Sequence, residues 1–219
     1  MANTIPSIAC LGVIGRNNNP LHITIFPSYD TTTQTYGPAR TPLQFSLILS
    51  GTLDAFEARS RHLSNPSGGG GAGGGSLLLS GDFGLLHAVD DRLAAYGFET
   101  NTGVKFVAVV DMRGRVARGS AGGSGGGGGG AGGGGGTAAA AAAARAAAGS
   151  GVGLRDNELK PVFRAMQTAY VRLLQNPFYD PDEAAAVAGG KPGRRITSRK
   201  FGDEIRRVGE AWAPGVTSV

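Results

Sequence analysis

At 219 residues the chain can fill one ordinary domain, yet its 39 glycines crowd into stretches that bury little, and its 41% hydrophobic content is inflated by a run of alanines. A net charge of +5 points toward nucleic acid or anionic lipid, but Arg113, Arg115, Arg118 and Arg145 lie in an acid-free stretch, 113–153, and carry +4 of it. The remainder is nearly neutral, which argues against a basic nucleic-acid-binding domain, and the single Cys10 excludes an internal disulfide and fits a reducing cytosol. No stretch has the length of a membrane span, and the short apolar start lacks the basic flank of a secretory leader.

"SIACLGVIGR", "NNNP" and "LHITIF" read as two strands around a polar turn, opened on the far side by Pro20. The first run is apolar almost throughout, as in a strand covered on both faces, while Leu21, Ile23 and Ile25 alternate with His22 and Thr24. A Ser/Thr/Pro-rich loop follows. Phe45, Ile48, Leu49, Leu53 and Phe56 then recur at helical spacing and predict a helix from about Leu43 to His62, with Asp54, Glu57 and Arg61 on the other side. Gly51 within it marks close packing or a weak spot.

"SLLLSGDFGLLHAVDD", "RLAAYGFET" and "VKFVAVVDM" read as three successive strands, the last two joined across Asn101 to Gly103. Leu159, Val162, Phe163, Met166, Tyr170, Leu173 and Leu174 form the clearest helical stripe in the chain. Pro161 fits only the first turn of a helix, so this one begins at about Lys160, and Asn176 with Pro177 ends it. A last helix starts at Ser198 and aligns Phe201, Ile205, Val208 and Trp212. The pattern is α+β: one antiparallel-rich sheet with helices for its faces, in a single domain over 7–219 interrupted by low-complexity inserts at 64–76, 113–153 and 184–195.

Catalytic and ligand chemistry has little to stand on. Gly123, Gly125 and Gly128 fit a dinucleotide spacing only inside a homopolymer, with no tight turn to a helix, and Gly190-Lys191 is followed by Pro192 rather than Ser or Thr. His22, His62 and His87 lack neighbours at metal-ligand spacing, and Cys10 in an apolar strand is inert. Asp90 with Asp91, and Asp180 with Asp182 and Glu183, read as solvated acids. The cluster Lys191, Arg194, Arg195, Arg199 and Lys200 reads as an ordinary basic surface that could also meet an acidic partner or a membrane. A glycine-rich RNA-binding function through 113–153 is the alternative, weakened by the absence of any aromatic there on which a base could stack.

"NPFYDP" after one amphipathic helix and "ITSRKF" opening the next resemble the Asn-Pro-Phe-Tyr and Ile-x-Ser-x-x-Phe elements of the sedlin family, small subunits of the trafficking protein particle (TRAPP) complex. "YGFETNTGVKFVAVVD", "LRDNEL", "SIACLGVIGRNNNPLHI" and "SGTLDAF" follow in the right order and resemble its 2-like branch. The resemblance implies a longin-like (SNARE-like) domain, a five-stranded sheet with the first helix on one face and the later two on the other. It also implies a non-catalytic adaptor with no cofactor, metal, nucleic acid or small-molecule substrate. Its partners would be other TRAPP subunits and, indirectly, a Rab GTPase. It would work from the cytoplasm, peripherally on Golgi and endoplasmic reticulum membranes, in transport between these compartments or within the Golgi. Asp54 matches the family's Leu-Asp pair and is the expected polar contact, with a solvated acid as the alternative. Asn176, Pro177, Phe178 and Tyr179 are expected to stop the helix and pack the following loop, and Ile196, Ser198 and Phe201 to open the last helix. The glycine run then lengthens a surface connection, and three doublings of loop length cost only roughly 2 kcal/mol of closure entropy.

Overall fold

The structure, a computed structural model, describes residues 4–64, 81–117, 154, 157–179 and 195–216. The elements are β1 (Thr4–Ile14), β2 (Pro20–Ile25), β3 (Pro27–Asp30), β4 (Thr35–Pro38), α1 (Pro42–Ser64), β5 (Asp82–Ala88), β6 (Leu93–Glu99), β7 (Lys105–Val116), α2 (Lys160–Leu174) and α3 (Arg199–Ala211). Five strands form one antiparallel sheet in the order β2-β1-β7-β6-β5, and β3 with β4 forms a separate two-stranded ribbon.

The period-two alternation of a strand sends successive side chains to opposite faces, and this divides the core into two layers. Phe106, Ala108 and Val110 of β7 meet α2 and α3 through Val162, Phe163, Met166, Tyr170, Phe201 and Ile205. Val107 and Val109 meet α1 through Phe45, Leu49 and Phe56. One helix on one face and two on the other is the arrangement of a longin-like α+β domain. The apolar run of β1 is covered on both sides, Ile8, Leu11 and Val13 facing α2 and α3 while Ala9, Cys10 and Ile14 face α1. Trp212, fully buried beyond α3, donates its indole N–H to the Glu158 carbonyl at 3.1 Å and ties the C-terminal segment to the entry of α2.

Four details depart from the sequence reading. The Ser/Thr/Pro-rich loop holds the β3–β4 ribbon, whose Asp30 turn is closed by Thr32 N–H on Oδ1. Leu21 leaves the Ile23 and Ile25 side of β2, because the β1–β2 register shifts between Val13 and Ile14. Leu174, read as part of the α2 stripe, is exposed, since the helix turns it past the edge of the contact with α3. The last sheet strand does not stop at Met112: β7 runs to Val116, pairing Arg115 with Ile5 and Val116 with Thr4. Pro161 stands in the first turn of α2, where no intrahelical donor is lost.

Candidate interaction surfaces

Cys10 and His22 are absorbed by packing. Cys10 is fully buried, and burial pushes its thiol up to about 12, which keeps it protonated. His22 is half-buried on β2, its ring edge-on to Phe201 at 5.2 Å, with Nε2 2.9 Å from Thr24 Oγ1. Burial lowers its pKa more than the bond to the Ile196 backbone raises it, so the imidazole is neutral. His87 is exposed, and the side chain of His62 lies outside the described residues. Among the described residues, no group of three or more His, Cys, Asp or Glu side chains could hold a metal ion, and no helix is long and apolar enough to cross a membrane.

Asp90 is not a solvated acid. Burial pushes its carboxyl up, but the Leu93 and Arg92 N–H groups on Oδ1 and Arg40 at 2.7 Å on Oδ2 outweigh that and hold it below the usual carboxylate range. Its side chain therefore closes the β5–β6 turn, while Asp91 is exposed. Asp180, Asp182, Glu183, Lys191 and Arg194 lie outside the described residues, whereas Arg195, Arg199 and Lys200 are exposed.

With these groups occupied, α1 offers a surface instead. Leu43 and Leu47 are 70% and 64% exposed, one helical turn apart, and continue along the axis to Gly51 and Asp54. Nothing lies within 4 Å of a Cβ built on Gly51, so the close-packing reading of that glycine does not hold. Asp54 is exposed beside the half-buried Leu53, at the end of this apolar strip.

The residues after α2 build a turn. Asn176 Oδ1 accepts the Phe178 N–H at 3.2 Å, and its carbonyl accepts the Tyr179 N–H at 3.0 Å, with Pro177 between. Tyr179 packs against the core, but Phe178 is 95% exposed. The expectation that both aromatics pin the loop fails for Phe178, because the Asn176 turn aims consecutive residues in different directions. At α3, Ser198 is the N-cap and its Oγ accepts the Phe201 N–H at 3.4 Å. Ile196 is buried, with its N–H on the Leu21 carbonyl at 2.8 Å, and Phe201 fills the space between His22 and Tyr170. These residues act as architecture.

Two ties were not found in the sequence. Arg92 grips Asp111 and also donates to the Tyr29 carbonyl, fixing β3 over the sheet. Arg115, in the part of β7 read as insert, donates to the Glu210 and Trp212 carbonyls at the end of α3, at 3.1 and 3.5 Å. The alternation of Gly114 and Val116 with arginines is the one sequence signal that the strand continues.

The family model described as Sedlin matches residues 13–211. The trafficking protein particle complex subunit 2-like protein of Bos taurus is 26% identical over 192 residues, covering 88% of this chain and 89% of its own length. Its counterpart in Dictyostelium discoideum is 24% identical over 201 residues, 92% of this chain and 95% of its own. The distinct elements quoted from the sequence, the two-faced sheet and a family match across nearly the whole chain agree: the chain belongs to the sedlin family.

Proposed function

We propose that this chain is a non-catalytic adaptor of a TRAPP vesicle-tethering assembly, of the kind that promotes nucleotide exchange on Rab GTPases, in transport between endoplasmic reticulum and Golgi or within the Golgi. It works from the cytoplasm and reaches those membranes peripherally, through its neighbours. The observation that carries the reading is the end-to-end match to relatives named as TRAPP subunit 2-like, 88% of this chain against 89% of the bovine protein. Buried thiol, neutral imidazole and turn-bound carboxylate leave surfaces as the means of action. The strip of Leu43, Leu47 and Asp54 on α1 fits a subunit contact, with apolar anchors supplying energy and the carboxylate setting register.

Affinity purification of the tagged full chain with mass spectrometry tests this. Other TRAPP subunits should co-purify, and the chain should elute well above 22.1 kDa. Asp54→Lys and Leu47→Ser, both at exposed positions, should weaken that co-purification without changing the melting temperature. A chain that runs alone in cell extracts would refute the assignment.

A further inference from the structure

The two edges of the sheet are treated differently. On β5 the Arg59 guanidinium, reaching over from α1, donates to the outward carbonyls of Phe83 and Leu85, which closes that edge to pairing. On β2 the protection is incomplete. The Phe26 N–H points inward to the Ala9 carbonyl, so by the two-residue alternation of an antiparallel ladder Leu21, Ile23 and Ile25 direct their backbone groups outward. The Ile196 N–H on the Leu21 carbonyl confirms that parity and takes the first position. Among the described residues no backbone hydrogen bond reaches the outward groups of Ile23 or Ile25.

A groove of about 450 Å³ runs along this open stretch, floored by His22 to Ile25 and walled by the approach to α3 and its outer face. Gly202 faces the strand there, its missing side chain leaving room beside the edge. The charged groups that line the groove are Arg199, Arg206 and Asp203, and exposed Arg195 stands at the end where Ile196 pairs, three cations against one acid. Pro20 opens β2 and Pro27 follows it, so the edge is too short to propagate pairing into a fibril and long enough for one short strand.

We propose that the open edge of β2 at Ile23 to Ile25 takes up an extended, acidic peptide segment of another protein as a sixth strand of the sheet. Backbone pairing supplies the affinity, and the Arg195, Arg199 and Arg206 side chains select carboxylates flanking the paired residues. The site stands apart from the α1 surface and does not depend on which assembly the chain joins.

The test selects decapeptides from a random display library on the immobilised full chain and measures binding of the selected peptides by fluorescence anisotropy. The enriched sequences should alternate apolar with acidic residues, and adding one should slow amide exchange at Ile23 and Ile25. Ile23→Pro removes the outward N–H while sparing the bonds to β1, and should abolish binding. Arg206→Glu, at an exposed position where folding is indifferent, should weaken binding about tenfold or more. A melting temperature for each variant separates lost binding from lost folding. Selection of basic or charge-indifferent peptides, no enrichment, or binding that leaves both amides unchanged would overturn the proposal. So would amides already protected in the free chain. Sedimentation as a dimer that Ile23→Pro dissociates would then assign the edge to a second copy of this chain, and monomeric sedimentation would assign it to the chain's own residues.

Discussion

Arg92, at the mouth of β6, holds both carboxylate oxygens of Asp111 on β7, with Nε 2.8 and 2.9 Å from Oδ1 and Oδ2. The two partners are unequally exposed: the Asp111 side chain is fully buried, the Arg92 side chain 30% exposed. The bond to Asp111 outweighs burial and raises the Arg92 pKa, so the guanidinium is charged at every relevant pH. Removing Arg92 leaves a buried carboxylate without its counter-ion and with the Arg113 N–H on Oδ1, at a cost of about 3–5 kcal/mol. Removing Asp111 frees an arginine that can turn to water, at a cost of about 1–3 kcal/mol for the groups left unpaired. Urea unfolding of Arg92→Ala and Asp111→Ala should show this inequality, and equal losses would contradict the unequal burial. Because Arg92 also holds the Tyr29 carbonyl, Arg92→Ala should speed amide exchange in β3 and β4.

Gly209 and Gly51 should respond in opposite directions to the same substitution. A Cβ on Gly209 would overlap the ring of Phe26, a buried aromatic with little room to move, so Gly209→Ala should destabilise by about 1–3 kcal/mol. Gly51 sits mid-helix with open space at its Cβ, and Gly51→Ala should stabilise by about 0.5–1 kcal/mol through helix propensity. Melting curves of the two variants suffice to check the signs.

What could be read from the sequence follows from local rules. The α2 start at Lys160 came from the fixed φ of Pro161, the α3 start from Ser198 as a cap, and the two-faced sheet from an apolar β1 between helical stripes. What escaped depends on partners far along the chain. Nothing adjacent to Asp90 announces Arg40, fifty positions away, and nothing near Arg115 announces the end of α3. The β3–β4 ribbon escaped because four-residue strands carry too little alternation to register as a period. For the surfaces, Asp54 was found by resemblance, whereas the exposure of Leu43, Leu47 and Phe178 was hidden, since helical spacing shows which residues share a face but not whether that face is covered.

His22 should make the domain less stable in mild acid. Burial holds its folded pKa below the unfolded value of about 6.5, so the unfolded chain takes up the proton first. Stability is therefore full above about pH 6.5 and falls as pH drops toward the folded pKa, levelling off below it. Thr24, Ile196, Arg199, Asp203 and Arg206 line or contact the same groove, and burial there outweighs the opposing bond to the Ile196 backbone. The fall in melting temperature between about pH 7.5 and about pH 5 should shrink in His22→Gln, the difference reporting this one group among the histidines. An unchanged pH dependence would mean that the imidazole is solvated.

Shortening the connection after β7 should leave both fold and assembly intact. β7 ends at Val116, and on the far side the Leu154 N–H meets the Tyr96 hydroxyl at 3.2 Å, so both ends of the connection are held by the sheet. Reducing 118–153 to a quarter of its length is two halvings, and polymer closure scaling predicts a gain of about 1.2 kcal/mol. The change removes Arg118 and Arg145 and lowers the net charge from +5 to +3 (5 − 2 = 3). If the chain acts through its folded surfaces, co-purification with TRAPP subunits survives the deletion and the melting temperature rises slightly. If it acts as a glycine-rich RNA binder, the full chain retains RNA in a salt-sensitive manner and the shortened one does not. Loss of folding on shortening would instead mean that the connection contributes contacts to the core.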